Sequence, residues 1–248
     1  MNRKGQTWAA LAVAALASFV PAPAIAGPPY ETDDPEPTDP GKYEVYLFAS
    51  LDGPFREASG YAGLDLNFGP VKDVQLTATL PLGYARDPER HRWSAGAGDV
   101  ELGIKYRVVH IESAGSSAAI FPRVILPTAR RAFGTGRTRL LLPLWGQKDI
   151  GSWSLFGGGG YEINPGPGNR SFWSEGVVLT RQVSHAVTIG GEVTHQGADA
   201  IDATPSTSLG LGSIVKLGGR YALLLSIGPT FSRGRNSFHT YAALGLNF

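Results

Sequence analysis

The sequence predicts an all-β protein, a transmembrane antiparallel β-barrel of about twelve strands. Three observations lead to this fold class. Segments of about ten residues alternate between apolar and polar side chains. Short and longer connections between these segments also alternate along the chain. The last segment, SFHTYAALGLNF, is an alternating strand that ends on the aromatic Phe248.

The segment GDVELGIKYRVV, residues 98–109, carries the clearest alternation. Asp99, Glu101, Lys105 and Arg107 alternate there with apolar side chains. A helix is excluded because its period of 3.6 residues would mix the two sets. A strand with charges on one face and apolar groups on the other separates two very different solvents, as a barrel wall does.

Twelve such segments can be delimited. The predicted strands are 42–51, 61–69, 73–83, 98–110, 117–127, 137–148, 153–163, 171–183, 186–197, 206–217, 220–231 and 238–248. Connections after the even strands are short (GPVKD, KDIGS, LGGR), whereas those after the odd strands are generally longer (YARDPERHRWSAG, PTARRAFGTG). This predicts short periplasmic turns and longer external loops, with both ends of the barrel chain on the periplasmic side.

Residues 1–26 are predicted to be a cleaved signal peptide, which implies export, and together with the barrel pattern this predicts the cell outer membrane as the location. Arg3 and Lys4 precede an apolar run, and Ala24-Ile25-Ala26 offers a cleavage site. Residues 27–41 then form an acidic, proline-rich segment, and residues 42–248 form the barrel. No later apolar run reaches the roughly 18 residues that would indicate a spanning helix. Lys and Arg number 22 and Asp and Glu 21, so the overall charge gives no reason to expect nucleic acid as a partner.

A set of charged side chains is predicted to face the lumen and to line a solute pathway. Its members are Glu101, Lys105, Arg107, Arg123, Arg139, Glu162 and Glu192. A barrel of this size is too wide to be filled as an eight-stranded barrel is. The arginines could steer anions or stack on aromatic rings, which favours a channel for small solutes, aromatic or anionic. The alternative is a network of paired charges that closes the lumen and leaves a structural or surface-binding barrel.

The stretch ETDDPEPTDPGKYEVYLFAS places an acidic segment directly before the first strand. Its prolines exclude a helix and favour extended backbone. With a periplasmic N-terminus, Asp33, Asp34 and Glu36 could plug the lumen by pairing with Arg107, Arg123 or Arg139. The alternative is a solvated leader that only precedes the first strand.

No catalytic, cofactor or metal site is predicted. The five histidines are scattered, there is no cysteine, and no Ser–His arrangement suggests a hydrolase. The glycines of GGGGYEINPGPGNR lie within a strand and lack the Lys-Ser/Thr of a phosphate-binding loop. The protein is therefore not expected to be an enzyme.

Several motifs together resemble a family of bacterial outer-membrane transporters named for phenol meta-pathway degradation. They are TDDPEP before the first strand, GDVELGIKYR, IFPRVILPT, GTGRTRLLLPLW and GGGGYEINPGPGNR, and they extend over most of residues 27–248. The resemblance implies an outer-membrane barrel with a transport role.

Three partners are expected besides a small solute. The C-terminal strand ending at Phe248 resembles the signal that the barrel assembly machinery recognises. Membrane lipid would surround the barrel, and the arginine-rich external loops suit the phosphates of lipopolysaccharide.

Overall fold

The computed structural model describes residues 29–54, 57–87, 89–129 and 133–248. The predicted signal peptide lies outside the described residues. Within these ranges, fourteen strand segments follow one another in chain order. They are β1 (Tyr43–Asp52), β2 (Ser59–Val71), β3 (Val74–Arg86), β4 (Trp93–Ala97), β5 (Val100–Ile111), β6 (Ser116–Ile120), β7 (Arg123–Leu126), β8 (Arg139–Ile150), β9 (Trp153–Ile163), β10 (Phe172–Gln182), β11 (Val187–Gln196), β12 (Ser206–Gly218), β13 (Tyr221–Ser232) and β14 (Arg235–Asn247).

These segments form a closed antiparallel barrel of twelve strands. β3 pairs with both β4 and β5, so β4 and β5 together form one interrupted barrel strand. β8 pairs with both β6 and β7, so β6 and β7 form a second interrupted strand. The second interruption falls at Phe121 and Pro122, where proline has no N–H to donate to a neighbour. β1 pairs with β14 and closes the ring. The predicted fold class is confirmed.

The strand boundaries differ from the predicted ones mainly at the long-loop end. The stretch YARDPERHRWSAG was predicted to be a loop, but residues 84–86 belong to β3 and residues 93–97 form β4. This prediction was wrong because β3 and β4 continue to pair beyond the apolar alternation. One connection at this end, residues 233–234, is only a two-residue turn. The short turns, such as residues 72–73 and 151–152, lie at the opposite end as predicted.

The burial pattern is that of a barrel in lipid. Large apolar side chains are exposed on the outer face, as for Leu47, Leu144 and Leu211, which is 72% exposed. Polar side chains such as Gln75 and Lys105 are buried inside. Such continuous apolar exposure is not expected of a protein surrounded by water. Among the described residues, no helix is both long and apolar enough to cross a membrane.

Candidate functional site

The segment of residues 29–41 lies inside the barrel lumen. At the end of the segment that lies nearer the long loops, the Pro29 carbonyl accepts a hydrogen bond of 2.7 Å from Ser226 Oγ, halfway along β13. At its other end Pro40 forms an isolated bridge with Gly69 of β2, next to the short turns. Thr32, Asp34, Pro35 and Thr38 are buried between these two points. The segment thus enters at the short-turn end and reaches mid-height, and we call it the lumenal segment.

Two wall residues hold the backbone of the lumenal segment. Glu192 of β11 accepts hydrogen bonds from the Glu31 N–H at 3.1 Å and from the Thr32 N–H at 2.6 Å. Gln75 of β3 accepts from the Thr38 N–H at 2.8 Å. These bonds satisfy backbone groups of an extended chain that has no neighbouring strand of its own.

Glycines on the inner wall make room for the lumenal segment. A Cβ at Gly176 of β10 would lie 2.0 Å from Thr32 Oγ1, and one at Gly212 of β12 would lie 2.6 Å from the Tyr30 ring. Tyr30 also packs edge-on against Phe156 of β9, with ring centroids 6.1 Å apart. The fit requires these positions to have no side chain.

Asp33 bridges two cations of the opposite wall. One of its oxygens lies 3.0 Å from Lys105 Nζ on β5, and the other lies 2.9 Å from a terminal nitrogen of Arg123 on β7. The ring of Phe121, which breaks that barrel strand, lies under both cations at 4.0 Å from Arg123 and 5.0 Å from Lys105. Aromatic faces attract such cations, so Phe121 helps to fix the two charges that Asp33 joins.

A second ionic contact lies nearer the short-turn end. Glu36 pairs with Arg107 of β5 and accepts a hydrogen bond of 2.5 Å from Ser117 Oγ on β6. Arg107 also binds Asp73 in the turn between β2 and β3 at 2.6 Å. The guanidinium therefore joins the lumenal segment to the rim of the barrel.

Of the three arginines offered as alternative partners of the segment, Arg107 and Arg123 contact it and Arg139 does not. Arg139 of β8 instead binds Glu162 of β9 at 2.8 Å and lies 3.8 Å from Asp99. These groups lie closer to the long loops than the segment extends. Lys105 takes the place of Arg139 as a partner of the segment.

Every lumenal cation named above has two carboxylates beside it, whereas several carboxylates have no cation. Within the described residues, no lysine or arginine nitrogen lies within 4 Å of five carboxylates that face the lumen. These are Glu31, Glu44, Asp52, Asp65 and Glu192. The lumen consequently carries an excess of acidic groups.

Asp33 and Asp34 titrate differently although they are adjacent. Burial acts to raise the pKa of Asp33, but Lys105 and Arg123 outweigh it and hold that pKa below its usual value. Burial raises the pKa of Asp34 to about 7, against the attraction of Lys105 and together with the repulsion of Asp33. Both carboxylates share the ammonium group of Lys105, and Asp33, the more exposed of the two, lies closer to it.

Cavities lie beside the lumenal segment and beyond it. One of about 190 Å³ is lined by Asp33, Asp65 and Tyr46, among others. Another of about 680 Å³ opens towards the long loops and is lined by Asp52 and Glu162. Glu101, Phe48, Thr79 and Tyr241 border both. The lumen is therefore hollow around and above the segment and is not filled by side chains throughout.

All seven predicted lumen residues face the interior, and all three predicted plug residues contact the wall or lie buried in the lumen. Gln75, Phe121 and the glycines that receive the segment were not among the predicted site residues. Two signals in the sequence could have indicated them: Gln75 lies on the polar face of its strand, and Phe121 directly precedes a proline. Among the described residues no group of three or more His, Asp or Glu side chains could hold a metal ion.

Comparisons with known proteins agree on the fold. No protein-family model matches the sequence, and no curated protein matches it. An outer-membrane channel from Pseudomonas putida F1 is similar in structure, with a TM-score of 0.71 and 13% identity over 87% of this chain and 98% of that one.

Two further structures resemble the barrel. The KdgM porin, solved with disordered oligogalacturonate, has a TM-score of 0.57 and 8% identity over 83% of this chain and 99% of that one. The translocator domain of the autotransporter NalP from Neisseria meningitidis has a TM-score of 0.51 and 15% identity over 85% of this chain and 90% of that one. At these identities the similarities establish the outer-membrane β-barrel fold alone.

Proposed function

We propose that the protein is an outer-membrane channel for small solutes and that the lumenal segment is its plug. The observation that carries the proposal is the placement of Asp33 and Glu36 on the cations Lys105, Arg107 and Arg123 in an otherwise hollow lumen. The segment is attached to the wall by side chains and not by a continuous ladder of backbone bonds, so it can leave without opening the barrel. The Pseudomonas putida channel of the same fold supports this by analogy.

The second candidate is a closed barrel with a structural or surface-binding role. It is favoured by the pairing of each of the four lumenal cations described above with two carboxylates, as for Arg139 with Glu162 and Asp99. Such a network would resist opening if the segment were a permanent part of the core.

Single-channel conductance in planar bilayers separates the two candidates. The chain beginning at Gly27 would be compared with a variant that lacks residues 27–40 and with the untruncated double variant Asp33→Asn/Glu36→Gln. The double variant keeps the length of the segment and removes the two carboxylates that are closely paired with wall cations. A matched control, Asp87→Asn, removes a carboxylate from an external loop. Folding of each barrel is checked by its heat-modifiable mobility on gels.

A plugged channel would conduct more in the deletion and double variants than in the unaltered chain and the control. Equal conductance in all four would retain the channel but reject the plug. If no folded barrel conducts, the channel is rejected and the closed barrel is favoured.

The nature of the solute stays a prediction. Phe48 and Tyr241 stack at 6.1 Å between the two cavities, which supports an aromatic solute. The excess of lumenal carboxylates argues against an anionic one. A connection with phenol degradation rests on the sequence resemblance only. Membrane lipid, lipopolysaccharide and the barrel assembly machinery belong to the proposal as partners, because an outer-membrane location requires them.

A further inference from the structure

Asp34 is the most deeply buried acidic group of the lumenal segment. Its side chain has no exposed surface, and its Oδ1 accepts a hydrogen bond of 2.7 Å from the Glu36 N–H. In the part of the chain that the structure describes, its Oδ2 has no hydrogen-bond partner. A buried carboxylate oxygen without a partner is unfavourable when ionised, whereas a protonated carboxyl group carries no net charge to be desolvated.

The groups that face Asp34 supply too little positive charge. Lys105 of β5 lies 3.9 Å away, but it is closer to Asp33, at 3.0 Å. Asp33 and Glu36 of the segment and Tyr46 of β1, which is hydrogen-bonded to Glu44, add no positive charge. Arg107 and Arg123 are paired with Glu36 and Asp33. One ammonium thus serves two carboxylates.

We propose that Asp34 is a proton-operated latch, so that the lumenal segment stays docked while Asp34 is protonated and is released when it ionises. The latch rests on the docking geometry, and its consequence for transport rests also on the proposed function. It would couple the plug to the pH of the space that the lumen contacts.

The sign follows from the two states of Asp34. Docked, its pKa is raised to about 7, whereas a released, hydrated Asp titrates near 4. The docked state therefore holds one more proton between about pH 4 and pH 7, and its stability falls as pH rises through that range. The release equilibrium should change by up to about tenfold per pH unit there and level off above pH 7. Below about pH 4 protonation of Asp33, whose docked pKa is lowered, should weaken docking again.

Thiol accessibility measures docking without requiring conduction. The chain has no cysteine, so Thr32→Cys, a buried position near Gly176, introduces a single thiol of similar size. The full-length barrel in detergent would be labelled with a soluble maleimide between pH 5 and pH 8, with and without Asp34→Asn. Dividing the labelling rate with Asp34 by the rate with Asp34→Asn at each pH removes the intrinsic pH dependence of the reaction between thiol and maleimide. A second thiol position, Pro37→Cys, guards against a local effect of the first.

We expect labelling of the chain with Asp34 to rise relative to Asp34→Asn by at least about tenfold between pH 5 and pH 7.5. Asp39→Asn, which neutralises an exposed residue of the same segment, should leave the pH dependence unchanged. A ratio that does not vary with pH, or faster labelling of Asp34→Asn at pH 7.5, would overturn the latch. If labelling follows pH while bilayers stay silent, the latch stands and the channel function fails.

Discussion

Asp33→Asn is the substitution with the clearest expected effect on docking. Asn keeps the shape of the side chain but removes the charge that bridges Lys105 and Arg123 at 3.0 and 2.9 Å. The three side chains are 3–20% exposed, so solvent screens the contact only in part. Breaking a buried ion pair costs about 3–5 kcal/mol. Lys105 keeps Asp34 at 3.9 Å and Arg123 keeps Glu101 at 3.2 Å, so we expect the lower value of about 3 kcal/mol, roughly a hundredfold shift towards release.

Hydrogen exchange measured by mass spectrometry tests this value. The amides of Glu31, Thr32 and Thr38 are bonded to wall side chains, and their protection should fall by about two orders of magnitude in Asp33→Asn. The matched control is Asp39→Asn, whose exposed carboxylate has no ion pair among the described residues. Protection of the barrel strands should be unchanged. Unaltered exchange in Asp33→Asn, or an equal loss in the control, would refute the assignment of the docking energy to this ionic bridge.

Three further predictions concern the wall. Gly176→Ala should release the lumenal segment, because its Cβ would lie 2.0 Å from Thr32 Oγ1. The control Gly191→Ala, whose Cβ would have no atom nearer than 3.7 Å, should leave the segment docked. Hydrogen exchange of residues 29–41 distinguishes the two outcomes. Leu211→Arg, on the outer face, should destabilise the barrel in lipid vesicles by about 2–4 kcal/mol if the site lies at mid-membrane; equilibrium urea titration that finds no loss would contradict the lipid-facing assignment. The acidic lumen should conduct K⁺ in preference to Cl⁻, and Asp65→Asn should reduce that preference. The reversal potential in a KCl gradient measures it, and a preference for Cl⁻ would contradict the excess of acidic groups in the lumen.

Much of the architecture could be predicted because the period of a strand is local. The alternation in residues 98–109 places Glu101, Lys105 and Arg107 on one face whatever the neighbouring strands are. That is why the side of the wall on which these residues lie follows from the sequence, whereas a role in a solute pathway stays a prediction. The break at Phe121 and Pro122 and the extra pairing of β4 were not predicted, because they depend on which backbone groups of neighbouring strands meet.

The pairing of the acidic segment was only partly predictable. Composition identified the segment and its positively charged counterparts, but the choice of Lys105 over Arg139 depends on how far thirteen residues reach into the lumen. Gly176 and Gly212 have their role because Thr32 and Tyr30 pass over them, and their sequence separation from the segment hides this relation.

The sequence by itself determined the class of the fold, its strand number and the division between lipid-facing and lumen-facing side chains, since all three follow from periodicity along a single chain. Only the tertiary structure decided which charges meet. Electrostatic pairing depends on distances of a few ångströms between residues that are far apart in sequence, such as Asp33 and Arg123. The same closure of the barrel that brings them together also leaves Asp34 buried beside an ammonium group that it shares with Asp33, and the proposed pH response of docking rests on that arrangement.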